Sequence, residues 1–69
     1  MKNSYIAVSV NENEKNYAYV IKVSESDNLL CKLTIKGIDS AHICDTKKKA
    51  GEIADFWNEC YKKNGSYMF

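Results

Sequence analysis

The run Tyr5-Ile6-Ala7-Val8-Ser9-Val10 changes character at every step. Ile6, Val8 and Val10 project to one side and Tyr5, Ala7 and Ser9 to the other, the two-residue period of a β-strand. The polar, Asn-rich stretch from Asn11 to Asn16 has the chemistry of a hairpin loop. Tyr17 to Val23 follows, rich in aromatic and β-branched residues, as the second strand. It is apolar on both sides: Tyr17, Tyr19, Ile21 and Val23 form one row, with Ala18 and Val20 behind it.

Beyond the hairpin, Ser24 to Asn28 reads as a turn of capping-type residues. Leu29 to Ile35 admits two readings. Leu29 and Leu33 at i, i+4 fit a helical turn near 28–33 with Ser26 or Asp27 as its cap, whereas Leu33 and Ile35 alternate as in a strand; the helical turn is preferred. Gly37 marks a break. Ile38 to Cys44 is then a short third strand, with Ala41 and Ile43 on one face and His42 and Cys44 on the other.

The last element is an amphipathic helix. Ala50, Ile53, Ala54, Trp57 and Tyr61 recur at helical spacing, and Phe56 and Cys60 widen the stripe. Asp45 or Thr46 can cap its start, and Asn64-Gly65 can end it, which predicts a helix over about 46–63. The order β-β-β-α predicts a single small α+β domain over 1–69, an antiparallel sheet packed on one long C-terminal helix.

One helix shields one face of a sheet. The other face, led by Tyr17, Tyr19 and Ile21, is expected to need a partner: a second copy making a homodimer, or a small protein. The apolar tail residues Tyr67 and Phe69 are expected to fold back onto the core or a neighbour. The predicted function is therefore a non-enzymatic, self-associating protein-interaction module. Aromatic side chains of this kind are enriched at interface hot spots.

Composition narrows the alternatives. With 45% hydrophobic and 28% charged residues the chain is globular in type rather than disordered. No run of about 18 apolar residues is present to span a membrane. Three widely spaced cysteines and no apolar leader read as reduced thiols in a cytoplasm. The net charge of +1 exerts no global pull on nucleic acid or membrane. All basic residues are Lys, so the planar fork that reads phosphate and guanine edges is missing.

Three constellations bear on chemistry. Cys31, His42, Cys44 and Cys60 are zinc-type residues without a Cys-x₂₋₄-Cys knuckle, so neither metal nor other cofactor is expected. His42 and Cys44 share a strand face, but no oxyanion turn or orienting group accompanies them, and catalysis is not expected. Lys47, Lys48 and Lys49 in the first turn of a helix oppose its macrodipole. They supply the alternative function, a weak lysine-driven nucleic-acid or anion binder.

Ile35-Lys36-Gly37 before the third strand, Thr46 and Ala50 at the helix start, and the alternation of the first two strands resemble HicB-type antitoxins. The resemblance implies a partial RNase H-like fold that binds a small toxin as a dimer or larger oligomer. The chain departs from that pattern at Lys36, where the family usually has Pro, and at Lys49, where it usually has a carboxylate. It also resembles short reading frames of Gram-positive gut bacteria, a likeness that implies no activity.

Overall fold

A computed structural model describes residues 3–65. The elements run β1 (Asn3–Glu12), β2 (Lys15–Ser24), α1 (Leu29–Lys32), β3 (Ile38–Cys44) and α2 (Lys47–Lys63). They form the three-stranded antiparallel sheet and C-terminal helix read from the sequence, with the strands in the order β2-β1-β3.

The hairpin is tighter than its polar stretch suggested. Glu12 pairs with Lys15, so only Asn13 and Glu14 form the loop. Both have positive φ, 55° and 65°, as a two-residue hairpin turn matching the strand twist requires. Asn adopts this conformation readily; Glu does not. The remaining polar residues are recruited into the ladder, where the Asn11 side-chain amide donates to Asn16 Oδ1 at 2.7 Å.

β1 is the central strand, and its central residues are buried on both sides. Ile6, Ala7, Val8 and Ser9 are 0% exposed. The helix side is built from small residues: Ala7 and Ala18 on the sheet meet Ala50 and Ala54 on α2, with Val20, Ile53, Trp57 and Tyr61 packed around them. Alanine against alanine brings the two layers close together. Ser9, a hydroxyl in this dry layer, is satisfied by a hydrogen bond with the Tyr61 hydroxyl.

Phe56 corrects the predicted helix stripe. At 100° per residue it lies about 120° from the Ala50 direction, too far round to reach the sheet, and is 65% exposed. The predicted caps divide similarly. Thr46 caps α2, its hydroxyl accepting from the Lys49 N–H at 3.2 Å. Asn28, rather than Ser26 or Asp27, caps α1, accepting from Leu30 N–H at 2.9 Å. Asp27 instead turns back to Ser24.

The opposite sheet face is not left for a partner alone. Both β2 and β3 are antiparallel to β1, so they run parallel to each other with β1 between them. The link between them must therefore cross a face of the sheet. α2 occupies one face, and residues 25–37 cross the other. Leu33 and Ile35 of this strap, with Ile38, pack on Ile6, Val8 and Val23 alongside Tyr19 and Ile21. This corrects the expectation that covering the second face falls to another chain: its centre is covered from within.

The strap enters β3 through Gly37, at φ +80°, whose carbonyl accepts from Asn11 N–H at 2.8 Å. A β-carbon there would collide with the Asn11 carbonyl oxygen. Ser9 faces Ser40 whereas Val10 faces Ile38, leaving Asp39 as the extra residue of a β-bulge. The bulge reverses the alternation and turns Ile38 towards the strap-side core.

Candidate interaction surface

The free surface of a three-stranded sheet is decided by its two edges. Backbone geometry fixes what each edge offers. The Ala18 N–H donates to Asn58 Oδ1 at 2.7 Å, and Asn58 Nδ2 donates to the Ala18 carbonyl at 3.0 Å. Ala18 thus points its backbone away from β1, which makes Ser9–Ala18 a non-hydrogen-bonded pair. Ser9 must then direct its own groups at β3. The bond from Asn11 to Gly37 has the same phase and fixes the pattern independently.

On β3, Ser40, His42 and Cys44 lie opposite Ser9, Ala7 and Tyr5 and direct their backbone groups inward. Ala41 and Ile43 therefore direct theirs outward, to the open edge. On β2 the outward set is Asn16, Ala18, Val20, Lys22 and Ser24.

The two edges are treated differently. On β2, the Asn58 amide occupies both groups of Ala18. Asp27 occupies both of Ser24: the Ser24 N–H donates to Asp27 Oδ2 at 2.8 Å, and Asp27 N–H donates to the Ser24 carbonyl at 3.0 Å. Lys22 adds an exposed charge between them. These devices blunt an edge against pairing. The β3 edge carries no Lys or Pro, and among the described residues nothing bonds to its outward groups.

The side chains agree. α2 lies mainly across β2 and β1 and leans little on β3. Residues 39–43 are all exposed, and Ile43, on the strap face beside Ile6, is 53% exposed. Between β3 and the first turns of α2 is an open cleft of about 320 Å³ lined by His42, Ile43, Cys44, Asp45, Lys49, Glu52 and Ile53.

The residues singled out in the sequence separate on this frame. Tyr17, Tyr19 and Ile21 are half-buried, and Tyr19 and Ile21 pack against the strap-side core. The Tyr17 and Tyr19 rings stack with centroids 5.6 Å apart. Burial, and then the neighbouring Tyr17, pushes the Tyr19 phenol above its ordinary pKa. Tyr67 and Phe69 lie outside the described residues.

Lys47, Lys48 and Lys49 are exposed but do not converge. Three consecutive helical residues fan over about 200°, and only Lys49 reaches the cleft, beside Glu52 and Asp45.

The Cys–His group is dispersed as well. Cys31 is exposed on α1, Cys60 is half-buried on α2, and the buried Cys44 directs its thiol at the His42 carbonyl, 3.9 Å away, rather than at the imidazole. Among the described residues no cluster of three or more His, Cys, Asp or Glu is placed to hold a metal ion, and no helix is long and apolar enough to cross a membrane.

Asn58 and Asp27 are the determinants that sequence reading missed. Asn58 lies about 80° from Ala50 on the helix wheel, at the border of the apolar stripe, a place for a polar residue that reaches over a sheet edge. That position was its one legible signal.

In comparison with known proteins, the chain matches no family model, no curated protein and no solved structure. Gly37, Thr46 and Ala50, which carry the HicB-type resemblance, each have a structural reason on this fold: the strap exit, the α2 cap and the helix–sheet contact.

Proposed function

We propose that this chain is a cytoplasmic, non-enzymatic protein-interaction module that binds by adding a strand to the outer edge of β3. The observation that carries the reading is the asymmetry of the edges: β2 is blunted at Ala18, Lys22 and Ser24, whereas Ala41 and Ile43 of β3 present free backbone groups beside an exposed isoleucine. Strand addition supplies affinity through main-chain hydrogen bonds and specificity through alternate side chains.

The adhesive strip is thus the β3 border of the second face, with Tyr19 and Ile21 packed in the strap-side core behind it and Tyr17 stacked on Tyr19. The HicB-type resemblance points the same way, since that family works by protein association. The lysine-driven alternative is weaker, because the three lysines fan apart.

The test is an NMR titration with a peptide of the β3 sequence, residues 38–44. Binding shifts the Ala41 and Ile43 amides and protects them from exchange, and Ile43→Lys abolishes both effects. Unperturbed and unprotected β3 amides at millimolar peptide, in a chain that is itself monomeric, would refute the reading. Salt-sensitive binding of generic RNA or DNA, lost on reversing the charge of Lys47 to Lys49, would favour the alternative.

A further inference from the structure

Resting on that reading, we infer that the strand added to β3 is β3 of a second copy, running antiparallel about a two-fold axis at His42. A symmetric pair needs a patch complementary to itself. In an antiparallel pair, opposed residues point to the same face. A two-fold axis perpendicular to the sheet must therefore pass through a residue rather than between two.

The outward backbone groups select the residue. With the axis at His42, Ala41 faces Ile43 of the second copy and Ile43 faces its Ala41, both as hydrogen-bonded pairs. All four free N–H and C=O groups of Ala41 and Ile43 on each strand are used, making four bonds across the junction. With the axis at Ala41, Ile43 would face Asp39, inside the bulge where the ladder is already broken, and with the axis at Ile43, Ala41 would face Asp45, beyond the end of β3. The His42 register stays clear of the bulge and gives the exposed Ile43 an apolar neighbour on its own face.

Two further features fit this occupant. The first is closure. Pairing through β3 gives a six-stranded sheet ending on both sides in β2, whose outer groups at Ala18 and Ser24 are already occupied. These occupied positions interrupt the outer β2 edge and oppose strand addition beyond two chains. The second is charge. Lys49 lines the cleft together with Asp45 and Glu52, so the flank carries both signs and opposes no like-charged wall to a copy of itself.

The experiment is disulfide trapping in the full chain with Cys31→Ser, Cys44→Ala and Cys60→Ser, carrying one new cysteine at a time. Non-hydrogen-bonded antiparallel pairs place their β-carbons at disulfide distance. His42→Cys is therefore expected to cross-link two chains under mild oxidation, while Ala41→Cys and Ile43→Cys fail to.

Light scattering on the native-cysteine chain is the companion measurement, independent of whether the cysteine-free background folds. It should report a doubled mass that His42→Lys, an exposed substitution placing two cations opposite each other, returns to the monomer. Cross-linking at 41 or 43 instead of 42, with association still lost in Ile43→Lys, overturns the register and leaves the adhesive edge standing. Association indifferent to both His42→Lys and Ile43→Lys overturns both. A strict monomer at high micromolar concentration overturns the second copy, and the broader reading then stands only if the Ala41 and Ile43 amides still become protected by millimolar peptide, the β3 peptide or an extended peptide of unrelated sequence.

Discussion

Replacing Asn58 with alanine tests the idea that one edge of this sheet is closed by design. The side chain makes two hydrogen bonds to a single residue, at 2.7 and 3.0 Å, on a half-buried border of the helix. Each such bond contributes about 0.5–1.5 kcal/mol net. Water can reach the β2 edge once the amide is gone, which limits the desolvation loss, so the pair together is worth about 1–2 kcal/mol.

For a chain of 69 residues the total stability is about 3–10 kcal/mol. The loss lowers the melting temperature by about 5–15 °C. Circular dichroism melts and urea titrations at one fixed protein concentration read it directly. Asn58→Asp is the informative companion. It keeps the acceptor for Ala18 N–H but sets a carboxylate against the Ala18 carbonyl, and should be no better than alanine. The alanine variant also reopens β2 at Ala18 and is expected to form species larger than the wild type does. A variant that melts with the wild type and has the same mass would show that the Asn58 amide neither stabilises nor guards the edge.

Other perturbations follow from single features of the backbone and turns. Gly37→Ala combines a left-handed φ with a collision against the Asn11 carbonyl, and is expected to cost about 2–4 kcal/mol in urea unfolding. Glu14→Gly should stabilise by about 0.5–1 kcal/mol, because glycine holds the φ of 65° without the β-carbon penalty; an unchanged or lower melting point would contradict the turn geometry. The Ser24 N–H and hydroxyl hold the Asp27 carboxyl below its ordinary pKa of 3.8. The contribution of Asp27 is therefore present above the unfolded value and disappears as the pH falls through the lowered folded value. Asp27→Asn should flatten that part of the acid-stability profile, which a pH series of melts would show. Tyr19 gives the mirror case. Its raised pKa means stability is retained below the ordinary tyrosine range and lost as the pH climbs through the folded value. Tyr17→Phe should bring the Tyr19 absorbance titration only part of the way back, since burial is the larger cause.

Strand alternation, the helix stripe, the Thr46 cap and the break at Gly37 were all legible in the sequence. Each depends on residues a few positions apart, and local periodicity records which side of an element meets a core. The same logic placed Ala41 with Ile43 and showed that the hairpin has two apolar faces. Phe56 was misread for a related reason: a stripe drawn by residue type, without the helix angle, takes in a neighbour that the sheet never meets.

Tertiary structure alone decided which strand is central, what lies on the second face, and which edge remains open. Those outcomes depend on how β3 returns to β1 rather than β2, and this forces residues 25–37 across the sheet. The closure of β2 depends on Asn58 meeting Ala18, forty positions away in the chain. A pattern of alternation is the same for a central and an edge strand, because it encodes the direction of side chains and not the partners of the backbone. Those partners exist only after the chain has closed on itself.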